Sequence, residues 1–397
     1  MKGTRAQYVP PEFLQWSPPS GESVRVFFAP GRINLLGEHT DYNGGYVLPG
    51  AIDRGTWLWI RRRPDQVWRF GSKTESKIIT VTSESLHYHA ENGFANYPAG
   101  VVWALRQEGM DVPGADCYFV GNVPQGAGLS SSASLEVVMA WALMALADID
   151  RDRAMVATLA HRAETEFVGV PCGVMDQYTV ALGRKDHVLS LCAGTLVYNW
   201  IPVDLSSVSL VIVNSNKPHH LISSPYKKRR SECDAALASL QHAGVPIGNL
   251  ADMDVAQWAE HRTLVTDPIL QKRVNHVVSE NWRARQGAQW LLHGDLTRFG
   301  EAMRSSHESL RDDYEVTGSE LDALAETAWT VPGCLGSRMT GAGFGGSTIA
   351  LVYSTALNDF QARIEEPYRR RFGYSPTFLT AQLGDGVHEV HERGPTP

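Results

Sequence analysis

Residues 121–134, GNVPQGAGLSSSAS, open directly into an apolar segment that the spacing predicts to be helical over 132–147. No other junction constrains the chain as tightly. Gly126 and Gly128 permit backbone conformations, and a close approach, that a Cβ would block. The first-turn N–H groups of the helix and the hydroxyls of Ser130, Ser131 and Ser132 then face one point. Unpaired donors and the positive end of the helix dipole coincide there, which attracts an anion. A glycine turn with a serine cap accounts for the same residues. No GK[ST] follows the glycines, and the spacing is not GxGxxG, so neither a Walker A loop nor a dinucleotide fingerprint is present.

A second segment, residues 30–45 (PGRINLLGEHTDYNGG), places Arg32, Glu38, His39 and Asp41 within ten residues, beside Gly37 and an Asn-Gly-Gly turn. Polar groups of several chemical types on one loop suit a polyhydroxyl ligand, each hydroxyl of which wants a donor and an acceptor. Arg32 could also hold a phosphate or carboxylate through paired hydrogen bonds. A solvated loop with surface charges fits as well. In a third segment, residues 169–177 (GVPCGVMDQ), Asp176 follows a glycine-proline-cysteine turn and precedes an apolar stretch. A partly buried carboxylate needs a cationic partner, and Arg32 is a candidate. Alone, Asp176 reads as a helix cap or ion-pair member, and Glu164 reads as a surface charge on a helix.

Several classes are excluded on composition. Lys plus Arg number 36 against 43 Asp plus Glu, a net charge of −7 that offers no basic footprint for nucleic acid. The longest apolar run, residues 137–147, is too short to span a bilayer, and the N-terminal residues lack the apolar core of a secretory signal. Five widely spaced cysteines without a CxxC pair suit a reducing compartment, so a cytoplasmic location is expected. A monomer is expected rather than an oligomer.

Strand patterns at 23–28, 46–60, 116–120, 187–215 and 347–353 mix with helical patterns at 96–107, 153–166 and most of 226–328. No regular βαβ rhythm appears, so the class is α+β, with a boundary near residue 200. The proline-rich start predicts an irregular lead-in, and the run Lys227 to Arg230 predicts a solvated helix face. A second glycine-rich turn, GAGFGG at 341–346, marks either close backbone packing or another phosphate-facing loop.

Taken together, these segments resemble those of the GHMP family of small-molecule kinases, and within it the galactokinase family. The signature at 30–45, the loop GLSSSAS, the motif RMTGAGFGG at 338–346, and the stretches at 214–233 and 306–316 occur in the family's order, from about residue 28 to 352. The resemblance implies a two-domain GHMP kinase fold of mixed sheets packed with helices. Residues 1–200 would form the N-terminal domain and 201–397 the C-terminal one, with the active site in the interdomain cleft. It further implies transfer of a phosphoryl group from ATP to the C1 hydroxyl of D-galactose. ATP would lie at Gly126, Ala127, Gly128, Leu129, Ser130, Ser131 and Ser132, with Ser72 on the nucleotide side. Glu38, His39, Thr40, Asp41, Gly173 and Tyr226 would contact the sugar, Asp41 at C3 and C4 and Glu38 and His39 near C6. Asp176 matches the catalytic aspartate and Arg32 the arginine beside it, while Ser132 and Glu164 match the ligands of Mg2+. Phe94 stands where many members carry a tryptophan near adenine. A kinase for a related sugar and a non-catalytic galactose sensor are the rival readings; sensors carry a shortened serine loop, and here the loop is complete.

Overall fold

In the computed structural model the structure describes residues 8–18, 21–123, 128–217 and 223–391. Strand β1 (Val24–Asn34) passes through the first half of the signature, and β2 (Tyr46–Val47) follows it. Strands β3 (Pro49–Arg62), β4 (Val67–Ser72), β5 (Glu75–Thr82) and β6 (Ala115–Gly121) continue the first sheet. Strands β7 (His187–Cys192) and β8 (Tyr198–Pro202) join β2 in a three-stranded sheet. A third sheet holds β9 (Val208–Asn214), β10 (Cys334–Thr340), β11 (Ser347–Tyr353) and β12 (Thr377–Ala381), in the order β10-β11-β9-β12. The last strand, β13 (His388–Glu389), returns to the first sheet, whose order is β13-β1-β3-β6-β4-β5.

The strand at 23–28 was expected to end at Phe28 and feed into a turn. Instead β1 stays paired with β3 through Asn34, absorbing the Pro-Gly pair in a bulge between Pro30 and Arg32. The lead-in forms one short helix, α1 (Pro11–Trp16), with proline at its first position and Phe13 buried against the Trp16 ring.

Five helices follow in the N-terminal half and early in the C-terminal one: α2 (Asn96–Gln107), α3 (Ser131–Leu146), α4 (Arg153–Arg162), α5 (Met175–Leu182) and α6 (Ser223–His242). Helix α3 is apolar on every side, as the sequence indicated, and it is correspondingly buried between the first sheet and its neighbouring helices. The remaining helices are α7 (Val255–His261), α8 (Pro268–Leu292), α9 (Leu296–Asp312), α10 (Ser319–Trp329) and α11 (Leu357–Phe372). Separate apolar clusters sit under the first sheet and beneath the third, while a further cluster gathers Ile33, Leu36 and Leu129 with Phe299 and Ile349. That last cluster binds the signature strand to the C-terminal half.

In the run 227–230 Lys227 and Lys228 are exposed, as expected, but Arg229 departs from the solvated face. Arg229 is buried and donates to the Tyr314 and Glu315 carbonyls and to Glu232. Among the described residues no helix is long and apolar enough to cross a membrane.

Candidate active site

A cavity of about 290 Å³ opens where the signature, the 169–176 turn and the C-terminal half meet. Arg32, Glu38, His39 and Asp41 line one side, Gly173 and Asp176 another, and Tyr226, Gly341 and Ala342 a third. The structure therefore gathers segments that the sequence separates by three hundred residues.

Arg32 lines this cavity immediately after the register shift in β1. Its Nε and Nη2 donate to Asp176 Oδ1 and Oδ2 at 2.7 and 2.9 Å, a two-pronged pair on the first turn of α5. Nη1 donates to the Gly128 carbonyl, and the Ser130 hydroxyl donates to Asp176 Oδ2. One carboxylate thus joins the signature, the serine loop and the 169–176 turn. Gly31 makes room for this approach, since a Cβ there would lie 2.8 Å from the Leu129 carbonyl oxygen.

Within the serine loop, Gly128 and Ser130 both have positive φ, +70° and +60°. Leu129 contributes backbone only, its side chain being buried in the cluster with Ile33. Ser131 is exposed at the first position of α3. Gly126 and Ala127 lie outside the described residues. Ser72 ends β4 opposite Phe119, two residues before β6 gives way to the serine loop, and Phe94 packs edge-on to that same Phe119 at 6.2 Å. Of the two readings of the GAGFGG turn, close packing is what the structure shows at Gly341 and Gly343. Cβ atoms there would lie 2.9 Å from the Gly128 oxygen and 2.2 Å from the Val316 oxygen.

Asp41 occupies the pocket floor, accepting the backbone N–H groups of Tyr42 and Met175. Burial first, and the nearby Asp176 charge second, push its carboxyl up to about 6. Gly173 is the residue that lets it sit there, because a Cβ would fall 2.0 Å from Asp41 Oδ2. Gly173→Ala should therefore displace the carboxylate and weaken binding of the pocket's ligand by about 10- to 100-fold. Titration of the pocket's ligand against the unaltered protein and the variant would check this.

Glu38 is 2 % exposed and pairs with Arg338 at 2.6 Å. Burial raises its carboxyl to about 7 against the opposing pull of Arg338. His39 is pushed down to about 3 by burial and by His276, so its ring is neutral. Nδ1 meets the Tyr42 hydroxyl at 2.9 Å, while Nε2 is buried with no well-formed hydrogen bond, although the Ala342 backbone lies beside it. The backbone of His39 has φ +62°, which costs a non-glycine residue on the order of 1–3 kcal/mol. Tyr226 stands beside His39 and Tyr42, with ring centroids at 5.8 and 5.6 Å.

Thr40 departs from its expected place. Its hydroxyl is buried against the Gly37 and Tyr46 carbonyls, 2.8 Å from each, and closes the loop rather than facing the cavity.

Glu164 lies in a π-turn, Ala163–Val168, that continues α4. Ser132 donates a hydrogen bond to its carboxylate, and Gln177 Nε2 reaches it at 2.5 Å. Burial, then the Asp176 charge, raise the Glu164 carboxyl, and burial followed by the Glu164 charge raises the fully buried Glu136, whose carboxyl lies within hydrogen-bonding reach of Glu164. The Ser132 hydroxyl and the Glu164 carboxylate are hard oxygen donors, a set that fits a hard cation keeping water and phosphate oxygens in its shell. Among the described residues no group of three or more His, Cys, Asp or Glu side chains forms a self-sufficient metal cage.

Sequence reasoning did not single out Arg338, His276 or Glu280, which surround the signature from the C-terminal half. On α8, residues 276, 280 and 283 follow the spacing of one helix face, the available signal, but a polar stripe reads as solvent-facing until its partner is known.

The site's segments correspond to known families. Residues 19–62 match the galactokinase galactose-binding signature, 96–184 the GHMP kinases N terminal domain, and 288–370 the GHMP kinases C terminal. A galactokinase of Halalkalibacterium halodurans is 44% identical over 366 residues, covering 92% of this chain and 93% of that one. A galactokinase of Streptococcus thermophilus is 44% identical over 368 residues, with 92% and 95% covered. The crystal structure of Lactococcus lactis galactokinase complexed with galactose superposes with a TM-score of 0.90 at 38% identity, covering 93% of this chain and 95% of that one. A Methanococcus jannaschii mevalonate kinase, at 16% identity and a TM-score of 0.63, shares the fold. Identity of this extent, carried by the segments that build the pocket, makes the chain a kinase of the GHMP fold and a member of the galactokinase family.

Proposed function

We propose that the protein transfers the γ-phosphoryl group of ATP to the C1 hydroxyl of D-galactose, releasing galactose 1-phosphate and ADP. The observation that carries this reading is the Arg32–Asp176 pair, held against the serine loop at one wall of the cavity whose floor is Asp41. A hydroxyl bound by Asp41 and its neighbours would present its reacting oxygen to Asp176, with the nucleotide phosphates supplied over the N-terminus of α3.

The chain's contribution is chiefly positioning and neutralisation of charge, since phosphoryl transfer leaves the protein little covalent work. Asp176 accepts the C1 hydroxyl proton as the oxygen attacks phosphorus in line with the departing ADP oxygen. Arg32 keeps the carboxylate aligned and offers positive charge to the transferring group. Asp41 accepts from the C3 and C4 hydroxyls and Glu38 and His39 face the C6 end, so a sugar with the other C4 configuration leaves polar groups unpaired. The N–H groups of the serine loop and the Ser131 hydroxyl hold phosphate oxygens, while the Ser130 hydroxyl stays on Asp176, and Ser72 and Phe94 lie toward the base. Kinases that draw on ATP use a divalent cation; here Mg2+ would be held by Ser132 and Glu164, and when bound it would supply neutralisation of the phosphate charge. The two halves that face one another divide near residue 200, as the resemblance implies, in the link between β8 and β9 rather than within β8, with β13 returning to the first. We include in the proposal a monomeric enzyme and, from five cysteines none of which is paired, a reducing, cytoplasmic location.

ADP release with Mg-ATP across galactose, glucose, arabinose, galacturonate, N-acetylgalactosamine and mevalonate tests the reading. Turnover on galactose with glucose poor is expected. Galactose binding without turnover on any sugar would instead identify a sensor. The pH dependence has a defined sign as well. Asp41 and Glu38 are protonated at and below about 6 and 7, respectively. The galactose KM should therefore rise as pH falls from 7 to 5, while the ATP KM, which depends on neither group, holds steady. A parallel rise in both constants would contradict the assignment.

A further inference from the structure

The turn 37–39 cannot hold its shape by local preference. Gly37 has φ +92° with its Cα hydrogen face only ångströms from the Tyr46 carbonyl, where a Cβ would lie 2.3 Å from oxygen. His39, two residues on, is left-handed without being glycine. Backbone strain of this kind persists only where surrounding contacts over-determine it.

Those contacts come from α8. Glu280 is fully buried, and its Oε1 accepts the Gly37 N–H at 2.8 Å, the Glu38 N–H at 3.4 Å and the Ser306 hydroxyl at 2.7 Å. Its Oε2 takes Arg283 Nε at 2.6 Å, so every oxygen faces donors. One turn earlier, His276 Nε2 lies 3.0 Å from the Glu38 carbonyl, and its Nδ1 is fixed by the Ser309 hydroxyl at 2.9 Å. From β10, Arg338 Nη2 holds the Glu38 carboxylate at 2.6 Å and Nη1 the Asn34 carbonyl at 3.1 Å. Both sides of the Glu38 peptide and its side chain are therefore held by the C-terminal half.

We propose that Glu280 is a positioning residue of the sugar site: by accepting the Gly37 and Glu38 N–H groups it holds the strained 37–39 turn, and so sets where Glu38 and His39 stand in the cavity. This rests on the sugar-kinase reading above. Glu280 itself touches no substrate. A carboxylate is required, because donors converge on both of its oxygens. In Glu280→Gln the amide nitrogen must face either Arg283 or the Gly37 and Ser306 donors, and in each orientation two donors meet.

The test compares the unaltered protein with Glu280→Gln by steady-state kinetics and by calorimetric titration of galactose without nucleotide. Glu280→Gln should weaken galactose binding and raise its KM by about 10- to 100-fold, the effect of losing a hydrogen bond to a charged group. The ATP KM and kcat should stay within about threefold, because the Arg32–Asp176 pair and the serine loop do not depend on α8. His276→Gln, which can still reach the Glu38 carbonyl, should shift galactose affinity in the same direction by less. It carries the test alone if Glu280→Gln does not fold. Unchanged galactose affinity, or equal losses for sugar and ATP, would overturn the positioning role. If the unaltered protein neither binds nor phosphorylates galactose, the sugar-kinase reading fails and the proposal falls with it.

Discussion

Asp176→Asn should lower kcat by about 10²- to 10⁴-fold, the span that a positioned proton acceptor contributes. The amide keeps an acceptor for one prong of Arg32, which also retains the Gly128 carbonyl, so the fold should survive. What is lost is the only carboxylate that faces both the serine loop and the cavity, among the described residues. Arg32→Ala should fall by a comparable factor for a different reason. It removes positive charge from beside the transferring group and leaves the Asp176 carboxylate without its guanidinium partner. Rapid-quench measurement of the chemical step, with circular dichroism to confirm folding, is the appropriate check. Near-normal turnover in both variants would sink the mechanism. A solvent isotope effect on the residual rate separates a proton-accepting Asp176 from one that mainly orients the hydroxyl.

Asp41→Asn should produce opposite effects on binding and stability. Two hydroxyls that bond to a carboxylate lose charge-assisted hydrogen bonds of about 1.5–3 kcal/mol each. The galactose KM should therefore rise about 100-fold or more, with the ATP KM little changed. Stability should increase. A carboxyl raised to about 6 in the folded protein binds a proton that the unfolded chain has already released. The native state therefore loses stability as pH rises through the interval from its unfolded value to about 6. Asparagine imitates the protonated group without that dependence. Asp41 is partly exposed to the cavity, so the gain is on the order of 1–2 kcal/mol rather than the whole shift. Thermal denaturation at pH 7 should show a higher midpoint for the variant and a smaller difference at pH 5. A less stable Asp41→Asn at pH 7 would show that its N–H contacts outweigh the burial of charge.

Much of this site could be read from the sequence because its parts are local. Glycines at 126, 128, 341 and 343, the serines of the loop, and the acidic and basic residues of 30–45 each announce their chemistry within a few neighbours. Arg32 and Asp176 could be paired as a hypothesis from charge alone, and their 144-residue separation closes to a two-pronged contact in the fold. What stayed hidden depends on tertiary partners. Arg229 looked solvated because the carbonyls it serves lie 85 and 86 residues away. Glu280 and His276 are separated from their signature contacts by 243 and 238 residues, and Arg338 from Glu38 by 300. Thr40 carried a sugar-facing expectation from its place in the motif, whereas the tightness of the turn sends its hydroxyl to the loop's own carbonyls. Strand β1 ran longer than the pattern at 23–28 predicted because a bulge preserves the ladder on either side.

The course of the chain's end has a mechanical consequence. After β12 the backbone leaves the C-terminal sheet, bridges Leu383 to Ile52, and places β13 on the outer edge of β1, where Glu389 clasps Arg25. The two halves are thus joined by two covalent crossings, one between β8 and β9 and one between β12 and β13. A body held by a single linker can swing and twist about three axes. One held at two separated points swings and twists less freely. The second crossing therefore narrows the relative motion open to the halves, in addition to the apolar cluster that packs Ile33 and Leu36 against Phe299 and Ile349.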